Sequence, residues 1–419
     1  MRWAVKPEPA YLAAYLAALA LSAAAASAIP RKLRQAFLAA TGLAFMAAFL
    51  SPGMTAALAL LSWAVRALLG PRASARRVAL ACALAFAAGL PLVFGGFFLH
   101  YEAGRLAAQD WVRAFFLVNF LKKLIYYLYE RAAGRVEALD AGEYLAYYFA
   151  LPAMIGLGVV ASPAHWRERW EARPPAEAAR RGLATLARAA LHLAAFGALV
   201  RWFGWAMIGR TASASMTGWT WTRAWTVFIV GYVAFYFLRY GYEQTCVGSA
   251  RLLGWDIHDN YDAPLLAGDY AEHWRRWNTH FRDLLLAMFY FPAALAFARR
   301  FPGRPALTSA AAGLATFAGS GVFNFLVRAV FLPPLAWTSY RLVAEQFALY
   351  EAFQWAMVTA ASAARLRRRA AGLPEPGPAR RAFGAGITLA LRGASLPLLM
   401  AADPPAGWRL AAWIVAAAL

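Results

Sequence analysis

The residues best equipped for chemistry lie between Asp269 and Pro292. There DYAEHWRRWNTHFRDLLLAMFYFP gathers Trp274, Arg275, Arg276, Trp277, Asn278 and His280 within a very apolar chain. Guanidinium groups flanked by indoles can stack on them and grip a carboxylate or phosphate, and an imidazole can take a proton from a hydroxyl near neutral pH. The plainer account of the tetrapeptide is a juxtamembrane anchor whose arginines snorkel to the interface. On a regular helix His280 stands about 200° from Asn278, so the two share a face only if the helix is distorted. His280 is also the last of the six histidines, and the chain runs on to Leu419 without another. Beyond it the candidate proton acceptors are Glu345 and Glu351, in or beside an apolar helix where a carboxylate is costly and generally faces a cavity or a partner. Against that stands a structural salt bridge to an arginine such as Arg328 or Arg341. Arg239, between Tyr236 and Tyr242, is likewise unusual in an apolar helix, and either binds an anionic group or pairs with Glu243.

Other arrangements exclude chemistry. Cys82 and Cys246 are the only cysteines and both sit in apolar sequence, so neither a disulfide framework nor metal-type spacing is present. No metal and no permanently bound cofactor is expected. Gly319-Ser320-Gly321 is followed by no Lys-Ser/Thr and cannot be a phosphate loop. His258 and Asp262 are one residue too close for the His-x4-Asp pattern of soluble glycerolipid acyltransferases. His192 reads as a hydrogen-bonded residue within its helix, and His258 and His273 as residues of a cytoplasmic mouth.

These groups need elements to hold them, and composition says which. With 62% hydrophobic and 15% charged residues, and a mean hydropathy of +0.47, the chain is a polytopic membrane protein. The net charge of +21 reflects arginines placed between membrane-length apolar runs, which excludes nucleic acid as a partner. Pro9–Ile29 reads as the first membrane helix; a signal peptide ending near Ala28 is the alternative. Spans follow near Gln35–Leu50, Met54–Leu69 and Val78–Leu99. The basic turns Arg31–Arg34 and Pro71–Arg77 put the N-terminus and His100 outside. Trp111–Tyr129 carries Lys122 and Lys123 in its middle and reads as a re-entrant or interfacial helix, its lysines facing protein, water or headgroups. Glu143–Ala161 then runs inward. Gly182–Ile208, Ala224–Thr245, Ala306–Val330, Tyr340–Ala361, Phe383–Ala401 and Gly407–Leu419 complete the series, with basic cytoplasmic segments at Arg299–Arg304 and Arg365–Arg381. Asp269–Pro292 does not fit a simple span. The fold class is therefore all-α: about eleven transmembrane helices plus re-entrant helices. The C-terminus is expected on the cytoplasmic side.

The ordered motifs resemble the membrane-bound O-acyltransferase family, especially its bacterial branch that transfers acetyl groups to alginate or D-alanyl groups to teichoic acids. Tyr236–Tyr242 takes the place of that branch's Tyr-Phe-Asp-Phe-Ser-Gly-Tyr. Gly248, Ala250, Arg251 and Gly254 match Gly-x-Ala-Arg-x-x-Gly, and Asn260 with Pro264 matches Asn-Phe-x-x-Pro. Trp274-Arg275-Arg276-Trp277 follows, then Tyr290 and Pro292 at the family's Tyr-x-Pro, while Tyr147–Pro163 is similar to its Phe-Phe-Pro…Gly-Pro segment. The likeness covers roughly Trp111 to Trp355. It implies three regions: N-terminal transmembrane helices over 1–100, an acyltransferase-like core over 101–362 surrounding a central cavity, and a basic cytoplasmic loop with C-terminal helices over 363–419.

Three departures stand against the family pattern. Where it has an essential histidine after Ser-Gly-Leu-Trp, this chain reads Ser320-Gly321-Val322-Phe323-Asn324. An amide cannot act as the base, a loss of roughly 10²–10⁴ in rate. Asp-Phe-Ser is replaced by Leu238-Arg239-Tyr240, and Trp-Phe-Arg-Asp-Tyr by Leu284-Leu285-Leu286-Ala287-Met288. If the chemistry is retained, the resemblance implies transfer of an acyl group from a cytoplasmic thioester, acyl-coenzyme A or an acyl-carrier protein, to a hydroxyl of an envelope polysaccharide, lipid or protein at the bacterial inner membrane. Trp274, Arg275, Arg276 and Trp277 would then organise the donor funnel, with Asn278, Arg239 and Tyr242 along the tunnel. Chemistry would fall at Asn324, with His280, Glu345 or Glu351 as substitute base. The alternatives left open are an inactive relative that binds lipid or acyl ligands or scaffolds a complex with soluble or envelope partners, and a transporter of a lipid-linked substrate.

Overall fold

The first helices form where long apolar runs meet Pro and small-residue breaks: α1 (Pro9–Ala28), α2 (Arg31–Phe49) and α3 (Pro52–Leu69) are separated only by Ile29-Pro30 and by 50–51. The computed structural model of the chain describes residues 9–49, 52–70, 74, 76–85, 87–88, 108–154, 159–173, 175–203, 221–329 and 337–400. Among them no strand occurs, so the expected all-α class holds. Among the described residues four helical stretches are long and apolar enough to cross a membrane: Pro52–Leu69, Pro175–Phe203, Thr279–Arg300 and Pro305–Leu326. The expected span at Gly407–Leu419 and the placement of His100 lie outside the described residues.

Packing divides the chain into two compact units, one of residues 5–192 and 239–259, the other of residues 1–4, 193–238 and 260–419. In the first, α2 packs against α1, α3 and the short α5 (Ala141–Phe149). A capping box starts α5: Asp140 accepts from the Glu143 N–H at 2.8 Å, and Glu143 accepts from the Asp140 N–H at 3.2 Å. The expected inward span Glu143–Ala161 is not a continuous helix. After α5 the chain turns extended at Ala150 and makes only a 3-10 turn at Leu151–Met154. Pro152 explains the stop, since in a continued α-helix its ring would clash with the Tyr148 carbonyl and it has no N–H to give. A nine-residue helix is about 14 Å long. The basic quartet Arg31–Arg34 is also not a turn but the first turn of α2.

Helix α4 (Ala108–Ala132) contains the segment read as re-entrant or interfacial, Trp111–Tyr129, and its two lysines face protein. Lys122 and Lys123 are both buried, and Lys123 Nζ donates to the Tyr147 carbonyl at 2.7 Å while lying over the rings of Tyr147 and Trp166. Ser162 caps α6 (Pro163–Glu168) ahead of α7 (Pro175–Phe203) and α8 (Trp221–Leu252). The Gly-x-Ala-Arg-x-x-Gly run ends α8. Gly254 adopts φ +106° beneath the Trp170 ring, and Arg251 holds the returning chain through the Ile257 carbonyl at 2.8 Å.

The other unit carries the elements after Asn260. A 3-10 turn at Pro264–Leu266 leads to α9 (Tyr270–Arg276), α10 (Thr279–Leu285), a π turn (Leu286–Tyr290) and α11 (Phe291–Arg300). These are followed by α12 (Pro305–Ala329), α13 (Trp337–Ala370) and α14 (Pro378–Met400). Asp269–Pro292 is thus interrupted after Arg276, and Thr279–Arg300 then runs on as a candidate span, which the sequence reading had not assigned. Pro292 accounts for the π turn: its ring would clash in a regular helix, and the Phe291 N–H instead reaches back to the Leu286 carbonyl. The basic loop expected at Arg365–Arg381 is mostly helix, because α13 continues to Ala370 and α14 begins at Pro378. Helix α13 packs against α9, α12 and α14. At Gly384 a Cβ would come within 2.1 Å of the Gly268 carbonyl oxygen, so only glycine lets α14 approach the loop before α9 this closely.

Candidate functional site

The break inside Asp269–Pro292 is built by an asparagine pair. Trp277 is extended and Asn278 left-handed at φ 45°, a region asparagine tolerates better than most residues. Asn278 makes no capping bond to α10. Asn260, fully buried, does that work: its carbonyl accepts from the Thr279 N–H at 2.9 Å and its Oδ1 from the His280 N–H at 3.0 Å, while its Nδ2 donates to Asn278 Oδ1 at 3.1 Å. Two orphan donors at the start of α10 are satisfied in this way. The helix is thus distorted at Asn278, the condition for Asn278 and His280 to share a face. His280 is buried in α10, the helix that meets α12 through Phe281 and Phe323, with ring centroids 5.9 Å apart.

Asn324 follows Phe323, and the structure brings it to Glu351. Asn324 Nδ2 donates to Glu351 Oε1 at 2.9 Å and to Ser320 Oγ at 3.2 Å, and Ser320 Oγ donates to the same carboxylate oxygen at 3.0 Å. Glu351 is 3% exposed, and its Oε2 is buried with no hydrogen-bond partner among the described residues. One oxygen is thus fixed by two donors while the other keeps its lone pairs. The carboxylate is oriented as a proton acceptor would be. Glu345 stands apart from this group: it is half-exposed and takes Arg341 Nε at 2.7 Å, the simple ion pair weighed against a catalytic role.

The arginines of the Trp-Arg-Arg-Trp tetrapeptide do not stack on its indoles. Arg275 is exposed, and Arg276 is tied to Glu272 at 2.5 Å within α9. The cation over the indoles is Arg392 of α14, whose guanidinium lies 5.2 Å from the Trp274 ring and 5.7 Å from the Trp277 ring. Sequence reasoning missed Arg392, although an arginine inside a predicted span was itself a signal. The spacing within the tetrapeptide put the arginines next to the tryptophans in sequence. The helix turn then sent the arginines outward and the rings inward.

Trp277 anchors an aromatic cluster with Tyr232, Tyr236, Tyr261 and His273. His273 is buried rather than at an open mouth. Its Nδ1 lies 2.9 Å from the Pro264 carbonyl, which can only accept, so Nδ1 carries the proton and Nε2 accepts from the Tyr232 hydroxyl at 2.9 Å. The Tyr232 oxygen in turn accepts from Arg392 Nε at 3.2 Å. Burial first, and then the positive Arg392, pushes the His273 pKa down to about 3, so this imidazole is neutral at any physiological pH.

The remaining predicted residues belong to the other unit. Arg239 pairs with Glu243, with Nε to Oε1 at 2.8 Å, which settles the choice between anion binding and pairing in favour of the pair; Tyr242 is partly buried on the same helix. His258 bonds to His165 at 3.2 Å, and His192 Nδ1 meets the Arg188 carbonyl at 2.8 Å as an intrahelical residue should. Among the described residues no group of three or more His, Cys, Asp or Glu side chains could hold a metal ion. Comparison with models of known protein families and with curated proteins finds no match.

Proposed function

We propose that this chain is a membrane protein of the membrane-bound O-acyltransferase type whose proton acceptor is Glu351, standing beside Asn324, where the family has its histidine. The observation that carries the reading is the buried Glu351 carboxylate, held through Oε1 by Asn324 and Ser320 and leaving Oε2 open. In the reaction an acceptor hydroxyl gives its proton to Glu351 Oε2 as its oxygen attacks the thioester carbonyl. The C–S bond breaks, the ester forms, and the departing thiolate recovers the proton from the carboxylic acid. The donor is acyl-coenzyme A or an acyl-carrier thioester, and the acceptor a hydroxyl of an envelope polysaccharide, lipid or protein. On this reading the helices surround a central cavity in a bacterial inner membrane, with the N-terminus outside and the C-terminus cytoplasmic.

A second reading, a non-catalytic relative that binds an acylated ligand or scaffolds a complex, is favoured by the amide at Asn324, which can position but not deprotonate. The deciding experiment supplies labelled acetyl- and long-chain acyl-coenzyme A to the purified protein in nanodiscs and follows thioester loss and transfer. Transfer by the wild type, lowered roughly 10²–10⁴-fold in Glu351→Gln, supports the relocated base. Silence in the wild type with activity gained in Asn324→His would mean a site that has lost its base. Silence in both would leave the second reading.

A further inference from the structure

Arg392 is 3% exposed and, among the described residues, forms no salt bridge. Its surroundings are aromatic: Tyr232, Tyr270, Trp274, Trp277 and Tyr350 all present their rings within 6 Å of the guanidinium carbon. The Glu351 carboxylate is near enough for its charge to act on Arg392, but it is hydrogen-bonded to Ser320 and Asn324 and makes no ion pair with the guanidinium, and a buried charge without a direct counter-ion is costly.

Nε is spent on Tyr232 at 3.2 Å, and Nη1 on Gln354 Oε1 at 2.5 Å and Tyr270 at 3.4 Å, and the Tyr350 hydroxyl is a further partner of the guanidinium. Gln354 is fully buried. Its Oε1 accepts from Arg392, from Trp274 Nε1 at 3.3 Å and from the Tyr270 hydroxyl. Since Arg392 and Trp274 can only donate, the amide cannot be turned over, and its Nε2 is left buried with no partner. An orphaned amide donor thus stands beside a cation held only by neutral groups, on the residue whose oxygen binds that cation.

We propose that Arg392 and Gln354 form a buried binding site for an oxyanion, the carboxylate or phosphate of a lipid or of a soluble ligand, with Trp274 and Tyr350 as its aromatic walls. A guanidinium can bind such an anion through charge-assisted N–H bonds, and the anion would meet Arg392 and the Gln354 amide directly, as Glu351, bonded to Ser320 and Asn324, does not. The site does not depend on acyl transfer, and it is tested with no acyl donor present.

The test uses the full chain in uncharged detergent and reads the unfolding midpoint against sodium phosphate, sodium acetate and decanoate at constant ionic strength. A parallel arm reads it in nanodiscs of phosphatidylcholine with and without phosphatidylglycerol. The wild type is expected to gain a saturable stabilisation. A response to phosphate or acetate identifies a soluble ligand, and a response confined to decanoate or phosphatidylglycerol a lipid one. Arg392→Lys keeps the charge but loses the fork, and affinity should fall roughly tenfold to hundredfold, the worth of a charge-assisted hydrogen bond. Gln354→Glu puts a carboxylate against Arg392, and should raise the midpoint without ligand and abolish the response. No saturable response in the wild type, or an equal one in both variants, would overturn the proposal.

Discussion

Replacing Asn260 by alanine tests how the helix break is made. Three bonds of this residue hold the break. The carbonyl bond to Thr279 survives the substitution, and the two side-chain bonds are lost. The His280 N–H then sits in a buried helix start with no acceptor, since Asn278 does not cap α10. An orphaned buried donor costs about 1–3 kcal/mol, and the lost amide–amide bond to Asn278 a further ~0.5–1.5 kcal/mol. The expected destabilisation is about 2–4 kcal/mol. Asn278→Gly should cost much less, because glycine enters the left-handed region freely and only the Asn260 Nδ2 bond is lost. Combining the two should show a coupling of ~0.5–1.5 kcal/mol, the value of that one bond. Reversible unfolding in mixed micelles, followed by tryptophan fluorescence, measures all three. A cost under about 0.5 kcal/mol for Asn260→Ala, or strict additivity with Asn278→Gly, would mean that the break does not depend on the clamp.

Three further outcomes follow from the same structure. His273, in a helix too short to cross a membrane, has a folded pKa of about 3 against an ordinary value near 6.5, so the unfolded chain binds the extra proton first. Stability should then be complete above about pH 6.5 and fall as pH drops toward 3, with about 2 kcal/mol lost by pH 5; an acid slope unchanged in His273→Gln would refute this. Gly384→Ala should cost about 1–3 kcal/mol because its methyl meets the Gly268 carbonyl, whereas Gly386→Ala, with open space around it, should be neutral or stabilising by up to ~1 kcal/mol. Comparable thermal shifts in the two variants would count against the close approach. Glu345→Gln removes only an exposed ion pair and should change stability by less than ~1 kcal/mol and leave any acyl transfer intact, which the transfer assay checks directly.

The chemistry of single residues was legible in the sequence wherever it followed from composition or local geometry. An all-helical membrane protein follows from apolar runs that no soluble core could hide. Glu351 was a candidate because a carboxylate in such a run needs a partner, and the lysines of α4 face protein for the same reason. Asn260, Pro264 and Asn324 stood out only through the resemblance to the acyltransferase family. Periodicity could not show that the helix through Glu143 stops at Phe149, because a hydropathy window weighs Pro152 by its polarity and not by its missing N–H. Nor could it show the break at Asn278, which is imposed by Asn260 from outside the helix.

Long-range pairing belonged to the tertiary structure. Glu345 and Glu351 are similar carboxylates on one helix, but their difference lies in what α12 brings to each: Ser320 and Asn324 reach Glu351, while Glu345 faces outward to Arg341. Arg392 is far from the tryptophans in sequence, yet it is the cation that lies over them, because α14 packs on α13 and comes close enough at Gly384 to do so. By itself the sequence determined which side chains would be costly to bury, since that cost is a property of each group against a low-dielectric interior. Which of them share the burial could be decided only by the packing of helices, because the neighbours that offset the cost come from distant parts of the chain.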